Sequence, residues 1–201
     1  IDFIFFLSNT LKIPHGGYWS LMAGMIPLTI ITIYTRGQRK MAQVSQPMAL
    51  EPFLEKYEER YQQASKLEGA AIFFVRDIYA VQSYVVQTMF ESNILYEDNI
   101  LVAVIARDDP FGVIGFFKGN LAPGFRIFEI HMGYMEVLDI EKILHNAGID
   151  ARVMFYGQSE IVTSHLIWKL FAVIKLMSPS FVQFYKLPSH KLHGVVSSVE
   201  M

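Results

Sequence analysis

The chain has 201 residues, 52% of them hydrophobic and 18% charged, with a formal charge of −2 at pH 7 and no cysteine. A pI near 6.3 provides no positive field for nucleic acid. The absence of cysteine excludes disulfides, thiolate nucleophiles and cysteine-ligated metal. A mean hydropathy of +0.30 exceeds that of an ordinary globular domain and fits a chain that is partly membrane and partly soluble.

In chain order, Ile1–Leu7 is apolar enough to be the tail of a membrane span but too short to be one, and no methionine opens it, so a truncated chain is expected. A signal peptide fits poorly, because no positive start or small-residue cleavage pattern is present. Ser8–Gly17, with Lys12, Pro14 and the Gly16-Gly17 pair, reads as a short turn between two spans, outside the cytoplasm. Tyr18 to Tyr34 carries no charged residue. With Gly17 and Thr35 it is long enough to cross most of a hydrocarbon core of about 30 Å. Tyr18, Trp19 and Tyr34 sit at its ends, and Arg36, Arg39 and Lys40 follow, which by the positive-inside tendency makes everything after Lys40 cytoplasmic. A buried helix of a soluble core is the alternative, but such helices average about 11–12 residues and rarely carry aromatic ends with a basic flank. Pro27 is tolerated in a span, with Thr29 and Thr32 near the carbonyl it frees.

Met41–Pro47 is small and polar, as a linker would be. Leu50, Phe53, Leu54, Tyr57, Tyr61 and Ala64 then recur at helical spacing, opposite Glu51, Glu55, Lys56, Glu58, Glu59 and Arg60, which describes a docking helix with a solvated face. Ala70–Val75 and Ile100–Ala106 are short β-branched or aromatic runs separated by an amphipathic segment at 78–90, the pattern of a parallel pair buried on both faces. After a turn at Asp108-Asp109-Pro110 and Gly112, residues 112–118 and 124–131 read as an antiparallel hairpin around Asn120–Pro123. A helix at 137–146, a strand at 152–156, a helix at 164–177 and a strand at 195–199 complete the set. The helix at 164–177 gathers Leu166, Ile167, Leu170, Val173, Ile174 and Met177 on one face, away from His165, Lys169 and Lys175. Too short to span, it has the pattern of a helix lying on the inner leaflet and equally that of a helix covering a sheet.

A family resemblance is carried by several of these stretches. Phe6–Trp19, an apolar span and Tyr34-Thr35-Arg36-Gly37 resemble the last transmembrane hairpin of the KUP/HAK/KT potassium uptake transporters. Gly69–Arg76 resembles the first strand of that family's cytoplasmic domain, and Phe184–Val196 with Val199-Glu200-Met201 resembles its terminal segment. Gly37 stands where the family's basic flank has a second arginine, and Glu68 where a proline precedes the strand. The resemblance implies inward potassium transport, commonly coupled to protons, in a multi-pass cell-membrane protein, with the cation sites on helices upstream of this chain.

Chemistry-bearing patterns are otherwise sparse. Gly112, Gly115 and Gly119 match neither the dinucleotide nor the Walker spacing. Glu129 and His131 share a strand face and begin a metal site at most, a satisfied surface pair being the favoured reading, because three or four ligands are needed. Gly157-Gln158-Ser159 lacks the second glycine of a nucleophile elbow, and His15, His145, His165, His190 and His193 form no ligand pattern. The span has no acidic residue, and Asp2, the one acid near a span, reads as an interfacial helix end.

The expectation is thus a membrane plus α/β protein: residues 1–40 the last transmembrane hairpin, with a partial helix, a turn and a span at about 17–35; 41–48 a linker; 49–201 a cytoplasmic α/β domain with a mixed sheet. It is not read as an enzyme, and no catalytic, ion-binding, cofactor or metal residues are assigned within it. Partners are K+ and H+ through the upstream helices and the lipid bilayer, with a homodimer left open and nucleic acid excluded. The rival reading is a membrane-anchored ligand-sensing domain.

Overall fold

The computed structural model describes residues 16–45, 47–178, 185, 187 and 189–200. The tail at Ile1–Leu7 with Asp2, most of the expected turn, and His15 lie outside them. The chain divides into two units, one formed by the N-terminal stretch to Gln43 with Thr163–Ser178, the other by Val44–Val162 with the residues from Pro179 to Glu200.

The first unit contains α1, Tyr18–Val44. Its 27 residues span about 40 Å at helical rise. It continues through Pro27, and the residues from Met41 to Val44, expected to begin a linker, extend it. The Thr32 hydroxyl donates to the Leu28 carbonyl at 2.7 Å, so it serves the turn beyond Pro27 and not the carbonyl that the proline frees.

The second unit opens with β1, Met48–Ala49, followed by α2, Leu50–Gln63. The expected docking face is correct, with Phe53 and Tyr57 fully buried. Next come β2, Leu67–Val75, and β3, Ala80–Val81. The helix expected from 78 is delayed, because Ala80 and Val81 pair antiparallel with Ala49 and Met48. Only α3, Ser83–Val86, follows, and it widens into a π turn at Gln87–Glu91. The Thr88 hydroxyl there bonds the Tyr84 carbonyl at 2.7 Å, a local bond that competes with regular helix.

The sheet is completed by β4, Tyr96–Arg107; β5, Val113–Ala122; β6, Phe125–Gly133; β7, Ala151–Val162; and β8, Leu192–Glu200. Strand order is β5-β6-β4-β2-β7-β8, parallel except for the antiparallel β5–β6 pair. The sheet is therefore mixed, as expected. Asn120–Ala122 are strand, and the turn narrows to Pro123-Gly124. The helix expected from 137 is α4, Ile140–Asn146, starting where the Asp139 carboxylate accepts from the Lys142 amide at 3.1 Å. β7 runs six residues past Tyr156 because β8 pairs with it from Met154 to Val162.

Period-two alternation splits the central strands between two cores. Ala71, Phe73, Val75, Leu101, Ala103, Phe125 and Ile127 pack with Phe53 and Tyr57 of α2 and Tyr84 and Val85 of α3. Ile72, Phe74, Ile100, Val102, Phe128 and Ile130 pack with Ile140 and Leu144 of α4. Both faces of the sheet are covered, which is why these strands read as continuous apolar runs. The last helix, α5, Leu166–Met177, lies in the first unit with α1.

Candidate functional site

Helix α1 is the one helix among the described residues long and apolar enough to cross a membrane. None of its apolar 18-residue window is buried: Leu21, Met22, Met25, Ile26, Leu28 and Ile31 all stand exposed. An apolar surface of that length is unstable in water and requires lipid or further helices around it. Between Tyr18 and Val44 there is no acidic side chain, so this helix offers no carboxylate to bind a cation or accept a proton.

Among the described residues the α/β domain holds one buried carboxylate, Glu129 on β6, 4% exposed. Lys118 Nζ donates to its Oε1 at 2.9 Å, and His131 Nε2 lies 2.9 Å from Oε2, necessarily as the donor. The two partners arrive by different routes. His131 is two residues along the same strand, while Lys118 lies at a register shift between Phe117 and Gly119 in the facing edge strand. Tyr79 accepts a second bond from Lys118 at 3.2 Å, and its ring sits 5.2 Å from the ammonium. Burial raises the Glu129 pKa, but the bonds and charges of Lys118 and His131 outweigh it and hold the carboxyl below its ordinary value. The pair anticipated at 129 and 131 is thus satisfied, with the Glu129 carboxylate buried and His131 partly exposed, and it carries a lysine that sequence spacing did not suggest.

A second polar node fixes α2 to the sheet. Tyr57 donates to the Gly124 carbonyl at 2.9 Å and accepts from Asn99 Nδ2 at 3.0 Å. Asn99, fully buried, also donates to the Tyr96 carbonyl at 2.7 Å and accepts from the Tyr96 amide at 3.2 Å. Burial drives the Tyr57 hydroxyl pKa far above the ordinary range, so it acts as a permanent neutral donor. An open groove of about 340 Å³ beside α2 is lined by Lys56, Glu59, Arg60 and Glu91 among others, an even mixture of charges with no field toward either sign.

The remaining sequence candidates are scattered. Gly112 precedes β5, and Gly115 and Gly119 lie within it, so no helix N-terminus follows to hold phosphate. Gly157-Gln158-Ser159 is interior to β7, not at a strand-to-helix elbow. His145 ends α4, His165 precedes α5, His190 lies in the turn before β8 and His193 within β8. Among the described residues no three His, Asp or Glu side chains converge as a metal site.

Residues 68–201 match the K+ potassium transporter C-terminal domain. The chain belongs to the K+ potassium transporter family. Residues 1–39, which contain most of α1, match the integral membrane domain of the same transporters. A relative from Methanosarcina acetivorans, named probable potassium transport system protein Kup, is 54% identical over the whole chain. Relatives of the same name from Methanosarcina barkeri and Methanospirillum hungatei are 47% and 44% identical over the whole chain. The chain spans 33% of the length of each of these three relatives. No solved structure matches it.

Proposed function

We propose that this chain is the C-terminal third of a potassium uptake transporter of the multi-pass cell-membrane type, with α1 as its last span and the α/β domain on the cytoplasmic side. The observation that carries the reading is the pair of family matches that together reach from residue 1 to residue 201, joined at the only described helix able to span a membrane. The orientation is supported by Arg36, Arg39 and Lys40 at the end of α1 nearer the α/β domain in sequence.

In this reading K+ is the cargo, moved inward together with H+, and its sites lie on spans upstream of this chain. The charge-free interior of α1 supports that division, because ion pathways through membranes are normally marked by ionisable groups. The α/β domain, whose polar clusters are satisfied internally, carries no catalytic step and acts as a regulatory or structural appendage.

Rubidium uptake by the whole protein, in cells lacking their own potassium uptake systems, tests the reading. Absence of flux from protein that reaches the membrane would overturn it. A version ending just after Lys40 then separates the two roles of the domain: retained flux makes it a regulator, and lost flux with normal insertion makes it part of the working transporter.

A further inference from the structure

Helix α5 is the element that the α/β fold does not use. The sheet is closed on one face by α2 and α3 and on the other by α4, and neither buried core contains a residue of α5. Its partner is the last part of α1. Phe171 is fully buried and lies on Gly37, where even a Cβ would stand 2.4 Å from the ring. Tyr34 meets the same ring at 6.0 Å between centroids, Lys40 Nζ sits 4.7 Å over the Trp168 ring, and Lys175 Nζ reaches Met41 Sδ at 3.1 Å. Tyr34, Gly37 and Met41 form a stripe on α1, and Trp168, Phe171 and Lys175 a stripe on α5, both at three- and four-residue spacing.

That stripe uses one face of α5. Across the helix from it, roughly 150° around the axis, Leu166, Ile167, Leu170, Val173 and Met177 form a second face, exposed in every case, Leu166 by 81% and Met177 by 83%. His165, Lys169 and Leu176, the last 85% exposed, line the flank between the two. A helix of 12 residues is about 18 Å long, too short to cross a core of about 30 Å. Its depth is nevertheless fixed, because it is held against Tyr34–Met41, the stretch where α1 passes from charge-free to basic. α1 and α5 therefore each carry an exposed apolar surface within one unit, that of α5 on the side turned away from α1. Charge agrees: residues 17–43 and 163–178 contain Arg36, Arg39, Lys40, Lys169 and Lys175 and no acidic residue.

Resting on the membrane-span reading of α1, we propose that α5 is an interfacial helix, lying in the leaflet at the basic end of α1. Leu166, Leu170, Val173 and Met177 enter the acyl boundary, and the exposed cations Arg36, Arg39 and Lys169 engage anionic phospholipid headgroups. Lys169 extends along the helix edge to reach them. Apolar burial and anionic headgroups together give such helices their affinity.

Depth-dependent quenching tests this on the whole protein in vesicles of phosphatidylcholine with phosphatidylglycerol. Val173→Cys, Leu170→Cys and Lys169→Cys, each the sole cysteine, carry an environment-sensitive fluorophore. Positions 170 and 173 are expected to lose emission to a lipid-borne nitroxide and not to aqueous iodide, with position 169 showing the reverse. Iodide quenching at all three sites, or quenching by neither agent at 170 and 173, overturns the proposal, the second result placing upstream protein on that face. In vesicles of phosphatidylcholine alone, lipid quenching at 170 and 173 falls; unchanged quenching overturns the headgroup part. Resistance of the whole protein to alkaline extraction reports on the span reading separately, so extracted protein sinks that reading, and retained protein with aqueous 170 and 173 sinks only this one.

Discussion

Asn99→Ala and Tyr57→Phe remove different numbers of bonds from the same buried node, and the difference measures what that node contributes. Tyr57→Phe deletes one hydroxyl. Its two partners keep others, because Asn99 Nδ2 still donates to the Tyr96 carbonyl at 2.7 Å and the Gly124 carbonyl still accepts from the Asn99 amide at 2.8 Å. One net hydrogen bond is lost, at about 1 kcal/mol. Asn99→Ala deletes its bonds to the Tyr96 amide, the Tyr96 carbonyl, the Tyr57 hydroxyl and the Gly124 carbonyl; the last acceptor keeps the Tyr57 hydroxyl and the Asn99 backbone amide, and with a similar net contribution for each of the other three the loss is about 3 kcal/mol. At about 1.4 kcal/mol per factor of ten, amides of β4 and α2 that exchange by opening of this region should exchange about 5-fold faster in Tyr57→Phe and about 150-fold faster in Asn99→Ala. Hydrogen exchange of the whole protein, read by mass spectrometry on peptides from α2 and β4, gives both factors. Equal acceleration in the two variants, or none in Asn99→Ala, would refute the assignment of this network as what holds α2 to the sheet.

Glu129 predicts an acid-sensitive domain. Its folded pKa is lowered from the ordinary 4.5, so its stabilising contribution is complete above that value and is lost as pH falls through the folded one; acid-unfolding curves of wild type and Glu129→Gln should converge at low pH, and a constant separation would contradict the ion-pair account. Gly124→Ala must place a Cβ 2.2 Å from Tyr61 Oη and 2.5 Å from the Glu97 carbonyl at φ +64°, so the domain's melting temperature should fall by a loss of about 1–3 kcal/mol; an unchanged melting temperature would deny the close approach. Gly37→Ala should expose α5 to exchange in the wild-type background and cost little in the F171A background, because the Cβ and the ring compete for one space; additive effects would show that the two residues are not in contact.

The strands were legible because both faces of the sheet are covered, so Ala70–Val75 and Ile100–Ala106 are uninterrupted apolar runs bounded by polar residues. Several element ends were not, since they are set by something distant in sequence. Pairing with Met48 and Ala49 turns Ala80 and Val81 into strand, and pairing with β8 carries β7 to Val162. Glu129 was visible but misplaced at the surface. Its burial follows from its place between Ala103 of β4 and Phe116 of β5 in the register, and Lys118 reaches it from beside an irregularity in β5 that no spacing rule foretells. Gly37 was noticed as a departure from a basic flank, and its contact with Phe171, 134 residues further on, could not be read from either local sequence.

The charge of −2 used to exclude nucleic acid is an average over two unlike parts. Residues 17–43 with 163–178 hold five cations and no acid, whereas 44–162 with 179–200 hold eleven cations and eighteen acids, giving +5 and −7. The remaining residues, with Lys12 and Asp2, are balanced. Local fields act within about 8–10 Å at physiological salt, so each part meets its surroundings with its own sign and not with the mean. A segment at +5 with an exposed apolar face is drawn to an anionic leaflet, and a domain at −7 is repelled by the same surface. The chain passes between these two parts at Val44 and again on either side of α5, so α5 is tied at both ends to an acidic domain and is held to α1 by Phe171, Trp168 and Lys175. Raising ionic strength weakens the attraction and the repulsion together. The apolar face of α5 is not screened, so the proposed helix should stay in the bilayer at salt concentrations that abolish a purely electrostatic contact, and its release by salt alone would show that the apolar face is not buried in lipid.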